Sequence, residues 1–168
     1  MSQLTPVMMR TAAWLLALGI IVADQVTKFF IRTEMVPGWE DKINVLPVFN
    51  LVHYWNKGVA FSMFSSGPLS GPWLMIGISL VVTLVVIAWL MSAWRLRPAL
   101  AYGAIIGGAL GNIIDRMIFG QVFDFLEFHW GMSYFPAFNL ADTAIFLGVA
   151  CLFLDMFLER PALPKEEE

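Results

Sequence analysis

The chain has 168 residues, 59% of them hydrophobic and 14% charged, with a formal net charge of −3 and a mean hydropathy of +0.74. Soluble domains run at about 45–50% apolar and about 25% charged, so this balance points into lipid and away from a water-soluble fold. The charge comes largely from Glu166, Glu167 and Glu168, no basic nucleic-acid surface is present, and a lone cysteine, Cys151, excludes an internal disulfide and argues against thiolate metal ligation.

The first apolar run, residues 11–31, is interrupted by Asp24 and Lys28. Arg10 followed by Ala12–Ala23 imitates the charged region and apolar core of a secretory signal. The run resumes past Asp24 with Phe29, Phe30 and Ile31, which predicts an uncleaved transmembrane helix. A charge inside a bilayer costs at least about 2.5 kcal/mol, so each one needs a partner or a purpose. Asp24 and Lys28 are spaced i, i+4 on one helical face and can neutralise each other. An internal ion pair that fixes the helix, or a direct chemical role, fits that spacing.

The loop from Thr33 to Pro72 is long, and Leu46–Trp55 within it is rich in β-formers. Asn56-Lys57-Gly58 then precedes a second such run, Val59–Phe64. A Gly-containing turn between two such runs predicts a β-hairpin over about 43–64, lying on the extracytoplasmic membrane surface.

The second span, residues 73–94, carries no charge and has tryptophans at both ends. Its length of roughly 31 Å matches the hydrocarbon core, and the tryptophans suit the two interfaces. The third span, residues 99–119, holds Gly103, Gly107 and Gly111 at every fourth position, a seam for close helix approach. Beside that seam Gly108, Asn112, Asp115 and Arg116 recur on one face. Asp115 and Arg116 are sequence neighbours, so each is expected to bond other groups, bracing the bundle or orienting a site. The fourth span, residues 140–158, contains Asp142 at its start, Asp155 near its end as an interfacial residue, and Cys151 between them.

The expected architecture is therefore an all-α polytopic membrane protein, a single domain of four transmembrane helices with a small extracytoplasmic β-sheet between helices 1 and 2. With the N-terminus inside, Arg10, Arg95, Arg97, Arg160 and Lys165 fall on the cytoplasmic flanks, against Arg32, Lys42 and Lys57 outside. The positive-inside rule favours this orientation, and four spans place both termini in the cytoplasm.

That topology brings two carboxyls to the same side and a similar depth. Asp124 lies in Gln121-Val122-Phe123-Asp124-Phe125, just past the outer end of the third helix. Asp142 closes Phe135-Pro136-Ala137-Phe138-Asn139-Leu140-Ala141-Asp142 at the outer start of the fourth. Asn139 is a natural N-cap with Asp142 at N3, a variant of the capping box. The positive helix end favours the ionised form of Asp142, whereas apolar neighbours resist ionisation of Asp124. Two carboxyls held apart in this way form a base and an acid. Asp142 would activate water and Asp124 would protonate the carbonyl or its adduct. His53 and His129 lack the companions of a metal site, and no nucleophile elbow or phosphate loop appears.

The ordered motifs resemble the bacterial lipoprotein signal peptidases (the signal peptidase II, or prolipoprotein signal peptidase, family). They are Asp24-Gln25-Val26-Thr27-Lys28, Asn56-Lys57-Gly58-Val59-Ala60-Phe61, the stretch from Gly107 to Arg116, Val122-Phe123-Asp124-Phe125 and Phe135–Asp142. The resemblance implies a metal-free, cofactor-free intramembrane aspartic endopeptidase that removes the signal peptide just before a diacylglyceryl-modified cysteine. It implies Asp124 and Asp142 as the catalytic dyad and Asn56, Asn112, Arg116 and Asn139 as residues that line the site. Asp24, Lys28 and Asp115 match supporting positions, and the hairpin matches a membrane-surface cradle. It further implies prolipoprotein substrates, contact with membrane lipid, cyclic-peptide inhibitors that occupy the site, and a monomer. The expected location is the bacterial inner (cytoplasmic) membrane, multi-pass, with the site near the periplasmic face. Val59 stands where the family more often has Ala.

A small transporter or channel is the rival reading, because buried charges also mark ion pathways. The polar residues gather on one side, however, and the inner halves of the helices are almost charge-free. A non-catalytic assembly protein would not need two matched aspartates.

Overall fold

A computed structural model describes residues 5–34, 42–58 and 71–158. In chain order the elements are α1 (Pro6–Glu34), β1 (Lys42–Leu46), β2 (Phe49–Asn56), α2 (Pro72–Met91), α3 (Leu96–Phe119), β3 (Val122–Trp130), β4 (Ser133–Tyr134) and α4 (Leu140–Leu158). Three of these helices, α1, α2 and α4, are long and apolar enough to cross a membrane. Their outward faces carry Leu15, Leu18, Val22 and Phe29 on α1, Val81 and Leu84 on α2, and Phe146, Phe153 and Phe157 on α4, all exposed. Apolar surface this continuous is far beyond what a soluble monomer exposes.

The central helix is α3, which packs against α1, α2 and α4. Small residues let it do so. A Cβ on Gly103 would run into the carbonyl oxygen of Ala13, and one on Gly107 would lie 2.7 Å from that of Ala17. The Gly103–Gly107 seam is thus the contact line with α1, as the spacing predicts. Met9, Ala13, Ala17, Val86, Leu90, Ala99, Ile105 and Ile106 form the core at the end of the bundle away from the sheet.

The sheet is four-stranded and antiparallel, in the order β1-β2-β3-β4. This corrects the expected hairpin in two ways. The chain turns at Pro47-Val48, inside the run expected to be one strand, because proline lacks the N–H that would continue β1. The expected second run, Val59–Phe64, lies outside the described residues. Nor does the sheet belong only to the segment between the first two spans. Val122–Trp130, between α3 and α4, pairs along β2 with Asn56 opposite Val122 and Tyr54 opposite Asp124.

The helix boundaries also differ from the expected ones. The first helix extends over both ends of 11–31, the second stops at Met91 rather than residue 94, and the third begins at Leu96 rather than residue 99. Asp155, expected at the interface, is 8% exposed and bonds the guanidinium of Arg95 at 2.9 Å.

Candidate active site

Gly120 ends α3 in the left-handed conformation (φ 73°), its N–H bonding the carbonyl of Arg116 at 3.0 Å. The chain then enters β3 at once, which sets Asp124 beside the end of α3 in a fully buried position. The other carboxyl is fixed by a capping box at the start of α4. The Asn139 side-chain oxygen accepts the Asp142 N–H at 2.9 Å, and Asp142 Oδ2 accepts the Asn139 N–H at 3.3 Å.

Two asparagines join the carboxyls. Asn139 Nδ2 donates to Asp124 Oδ1 at 2.7 Å and to Asn112 Oδ1 at 3.1 Å. Asn112 Nδ2 donates to Asp142 Oδ1 at 2.7 Å. From β2, Asn56 Nδ2 donates to Asp124 Oδ2 at 2.9 Å. Every oxygen of both carboxyls therefore has a donor, and the asparagines fix both orientations. Arg116 donates to the Asn112 carbonyl at 3.4 Å and has Asp142 and Asp124 within electrostatic reach.

Behind this layer lies a buried ionic knot. Lys28 Nζ sits 2.8 Å from Asp24 Oδ2, 3.0 Å from Asp115 Oδ2 and 3.1 Å from Asn112 Oδ1. All three charged side chains are at most 1% exposed. The two acids reach different elements. Asp24 Oδ1 accepts the Ala141 N–H at 3.0 Å, satisfying one of the orphan amides at the start of α4. Asp115 Oδ2 accepts the Phe123 N–H at 3.1 Å, at the start of β3. One acid thus holds the element that carries Asp142, and the other holds the element that carries Asp124. Asp115 and Arg116 do bond other groups rather than each other.

Gly108 and Gly111 complete the support. A Cβ on Gly108 would run into the Ala141 carbonyl oxygen, and one on Gly111 would lie 2.7 Å from Asp24 Oδ2. Sequence reasoning overlooked Gln25, whose amide bonds Asp24 at 3.2 Å, Asp115 at 3.0 Å and the Gly111 carbonyl at 3.2 Å. The signal was available, since Gln25 is a polar residue beside Asp24 within an apolar run. It also overlooked the contacts of Lys42, which pairs with Glu127 at 2.7 Å while Asn50 donates to the same carboxylate at 3.0 Å. The strand register that creates this cluster joins segments 77 residues apart and has no local signature. His53 packs edge-on against Phe123 with ring centroids 4.8 Å apart, and His129 stacks on Tyr134. Among the described residues no group of three or more His, Cys, Asp or Glu side chains is placed to hold a metal ion.

Burial pushes the Asp124 carboxyl up to about 7, and repulsion from Asp142 adds to the effect. The hydrogen bonds from Asn56 and Asn139 oppose the rise without cancelling it. Asp142 is half-buried and also borders an apolar cavity of about 500 Å³, walled by Phe128, Phe135, Phe138 and Phe146. Two carboxyls on one hydrogen-bonded frame, one of them raised by burial, next to an apolar chamber, are placed to exchange protons with a bound molecule.

The family described as signal peptidase (SPase) II matches residues 16–158. A lipoprotein signal peptidase of Vibrio vulnificus is 46% identical over 158 residues, which are 92% of this chain and 91% of that protein. One from Aeromonas hydrophila is 39% identical, covering 86% of each chain. Among solved structures, a bacterial membrane enzyme determined by the in meso method at 2.3 Å resolution superposes with a TM-score of 0.76 at 30% identity, covering 94% of each chain.

Proposed function

The chain belongs to the signal peptidase II family, a family of proteases in the membrane, and on that premise we propose that it is an aspartic lipoprotein signal peptidase. Asp142 takes a proton from water as the water oxygen attacks the scissile carbonyl, and Asp124 protonates the carbonyl oxygen or its tetrahedral adduct. As the adduct collapses, Asp142 passes its proton to the leaving amine nitrogen, the C–N bond breaks and Asp124 recovers a proton from the adduct's hydroxyl. The substrate is a prolipoprotein whose cysteine already carries diacylglycerol, cut just before that cysteine. The reaction uses no metal and no cofactor.

One observation carries this reading. Asp124 and Asp142 come from different elements yet share one hydrogen-bonded frame through Asn139 and Asn112. A frame that holds both carboxyls while burying only one completely suits an acid working beside a base. Asn56 and Arg116 serve as positioning residues, and Asp24, Lys28, Asp115 and Gly108 support the elements that carry the dyad.

The setting follows from the same reading. The 24-residue α3 also spans the membrane, third of four in chain order, and packs against the other three helices. Both termini are cytoplasmic, and the sheet lies on the periplasmic surface of the bacterial inner membrane. There a lipid-anchored substrate enters sideways while water reaches the dyad from outside. The enzyme works as a monomer, and a cyclic peptide that fills the space over the dyad would inhibit it.

The test is cleavage of a diacylglyceryl-modified prolipoprotein by purified protein in detergent with EDTA present. Release of a product beginning at the modified cysteine is expected. A folded protein that cleaves neither the modified nor the unmodified precursor would instead support a transporter.

A further inference from the structure

Two cavities lie beside the dyad, one lined by Asp142 and the other by Asn56, and they differ in character. The apolar chamber beside Asp142 is walled by phenylalanines. The other begins at Asn56, the donor to Asp124 Oδ2, and has a volume of about 650 Å³. It runs past Tyr54, Tyr134 and Phe135 to the Lys42–Glu127 ion pair. Phe135 borders both cavities.

The geometry points to the groove between Asn56 and the Lys42–Glu127 pair as the binding site for the substrate segment that follows the lipidated cysteine. This inference rests on the peptidase reading above. At the lipidated cysteine the substrate branches, since the side chain continues as lipid and the backbone continues as peptide. A site that cuts at that residue needs one exit for lipid and another with polar groups for peptide, and the two cavities supply them.

The groove is suited to peptide rather than lipid. Lys42 is compensated by Glu127 at 2.7 Å, its ammonium lies 4.1 Å from the centre of the Tyr134 ring, and Asn50 donates to Glu127 at 3.0 Å. An acyl chain laid over this cluster would strip its hydration and return no hydrogen bonds, a costly exchange. Peptide N–H and C=O groups replace the displaced water, and the tyrosines offer flat amphipathic walls. Because the charges already neutralise each other, the groove accepts polar segments without demanding a charge of either sign.

Two lipidated substrates decide the matter, one ending as an amide at the modified cysteine and one continuing for four polar residues. Binding at a distance from the reacting bond should raise kcat/KM of the longer substrate by about tenfold. Ala137 lines the groove, and Ala137→Trp should bring the ratio of the two substrates close to one. A ratio near one in the unaltered protein would overturn the inference, as would an unchanged ratio in Ala137→Trp. A photoreactive residue at the third position after the cysteine, irradiated on Asp142→Asn protein, supplies a readout without turnover. Attachment to Lys42, Tyr54 or Tyr134 is expected, and attachment elsewhere or none at all would overturn the groove. Failure to cleave either substrate would count against the peptidase reading, whereas a ratio near one with both cleaved counts against the groove alone.

Discussion

At the scale of single residues, the Asp124 carboxyl, pushed up to about 7 chiefly by burial, keeps its proton through a range in which an exposed carboxyl loses it. If Asp124 is the acid, kcat/KM falls as pH rises through about 7, and a pH–rate profile without that alkaline limb would remove it from the role. The same shift has a signature in stability. A folded-state value above the unfolded one means that the folded chain binds more protons between about pH 4 and pH 7, so stability falls as pH rises across that window. Asp124→Asn should flatten this slope and raise the melting temperature at neutral pH, which thermal unfolding in detergent can measure. Lys28 makes the opposite case. Its ammonium faces two carboxylates in a site closed to water, so Lys28→Met leaves both uncompensated and should cost about 3–5 kcal/mol. An unchanged melting temperature would mean that the two acids find other partners.

At the scale of elements, the capping box at Asn139 and Asp142 is legible because its signature is local, spanning one helical turn. The Asp24–Lys28 pair and the glycine seam of α3 are legible for the same reason, since each is fixed by helical periodicity. What local periodicity does not reveal is the destination of a second hydrogen bond. Asp24 also caps α4 across 117 residues, and Asn56 at the end of β2 bonds Asp124 in β3 across 68. The turn at Pro47-Val48 is not legible, because the run from Leu46 to Trp55 reads as one β-forming stretch, while Pro47 divides it. Gly108→Ala tests how tightly α3 and α4 must approach. Its Cβ has no room against the Ala141 carbonyl, so overpacking should cost about 1–3 kcal/mol. Activity should fall further than the fraction unfolded explains, because Ala141 adjoins Asp142. Full activity in Gly108→Ala would show that the dyad tolerates displacement of α4.

At the scale of the whole molecule, the sheet and the polar site occupy one end of a bundle whose sides are apolar. Composition and span length make the membrane legible, yet α3 is not among the three helices apolar enough to cross by composition, because its site-facing residues are polar and its seam is glycine. Orientation is open to direct measurement in a Cys151→Ala background. Met132, between β3 and β4, is 93% exposed, and Ser92, after α2, is exposed at the opposite end. A membrane-impermeant thiol reagent added to spheroplasts should label Met132→Cys at once and Ser92→Cys only after permeabilisation. The reverse pattern would invert the proposed topology.

The shared frame of Asp124 and Asp142 is the centre of this account, and parallel cleavage assays of Asp124→Asn and Asp142→Asn test it most directly. Asparagine preserves the shape of each side chain while removing its capacity to exchange a proton. With a diacylglyceryl-modified prolipoprotein and EDTA present, both variants should fold and bind substrate yet lose cleavage by about a hundredfold or more. Cleavage that survived either substitution at near its original rate would take that carboxyl out of the chemistry and contradict the dyad.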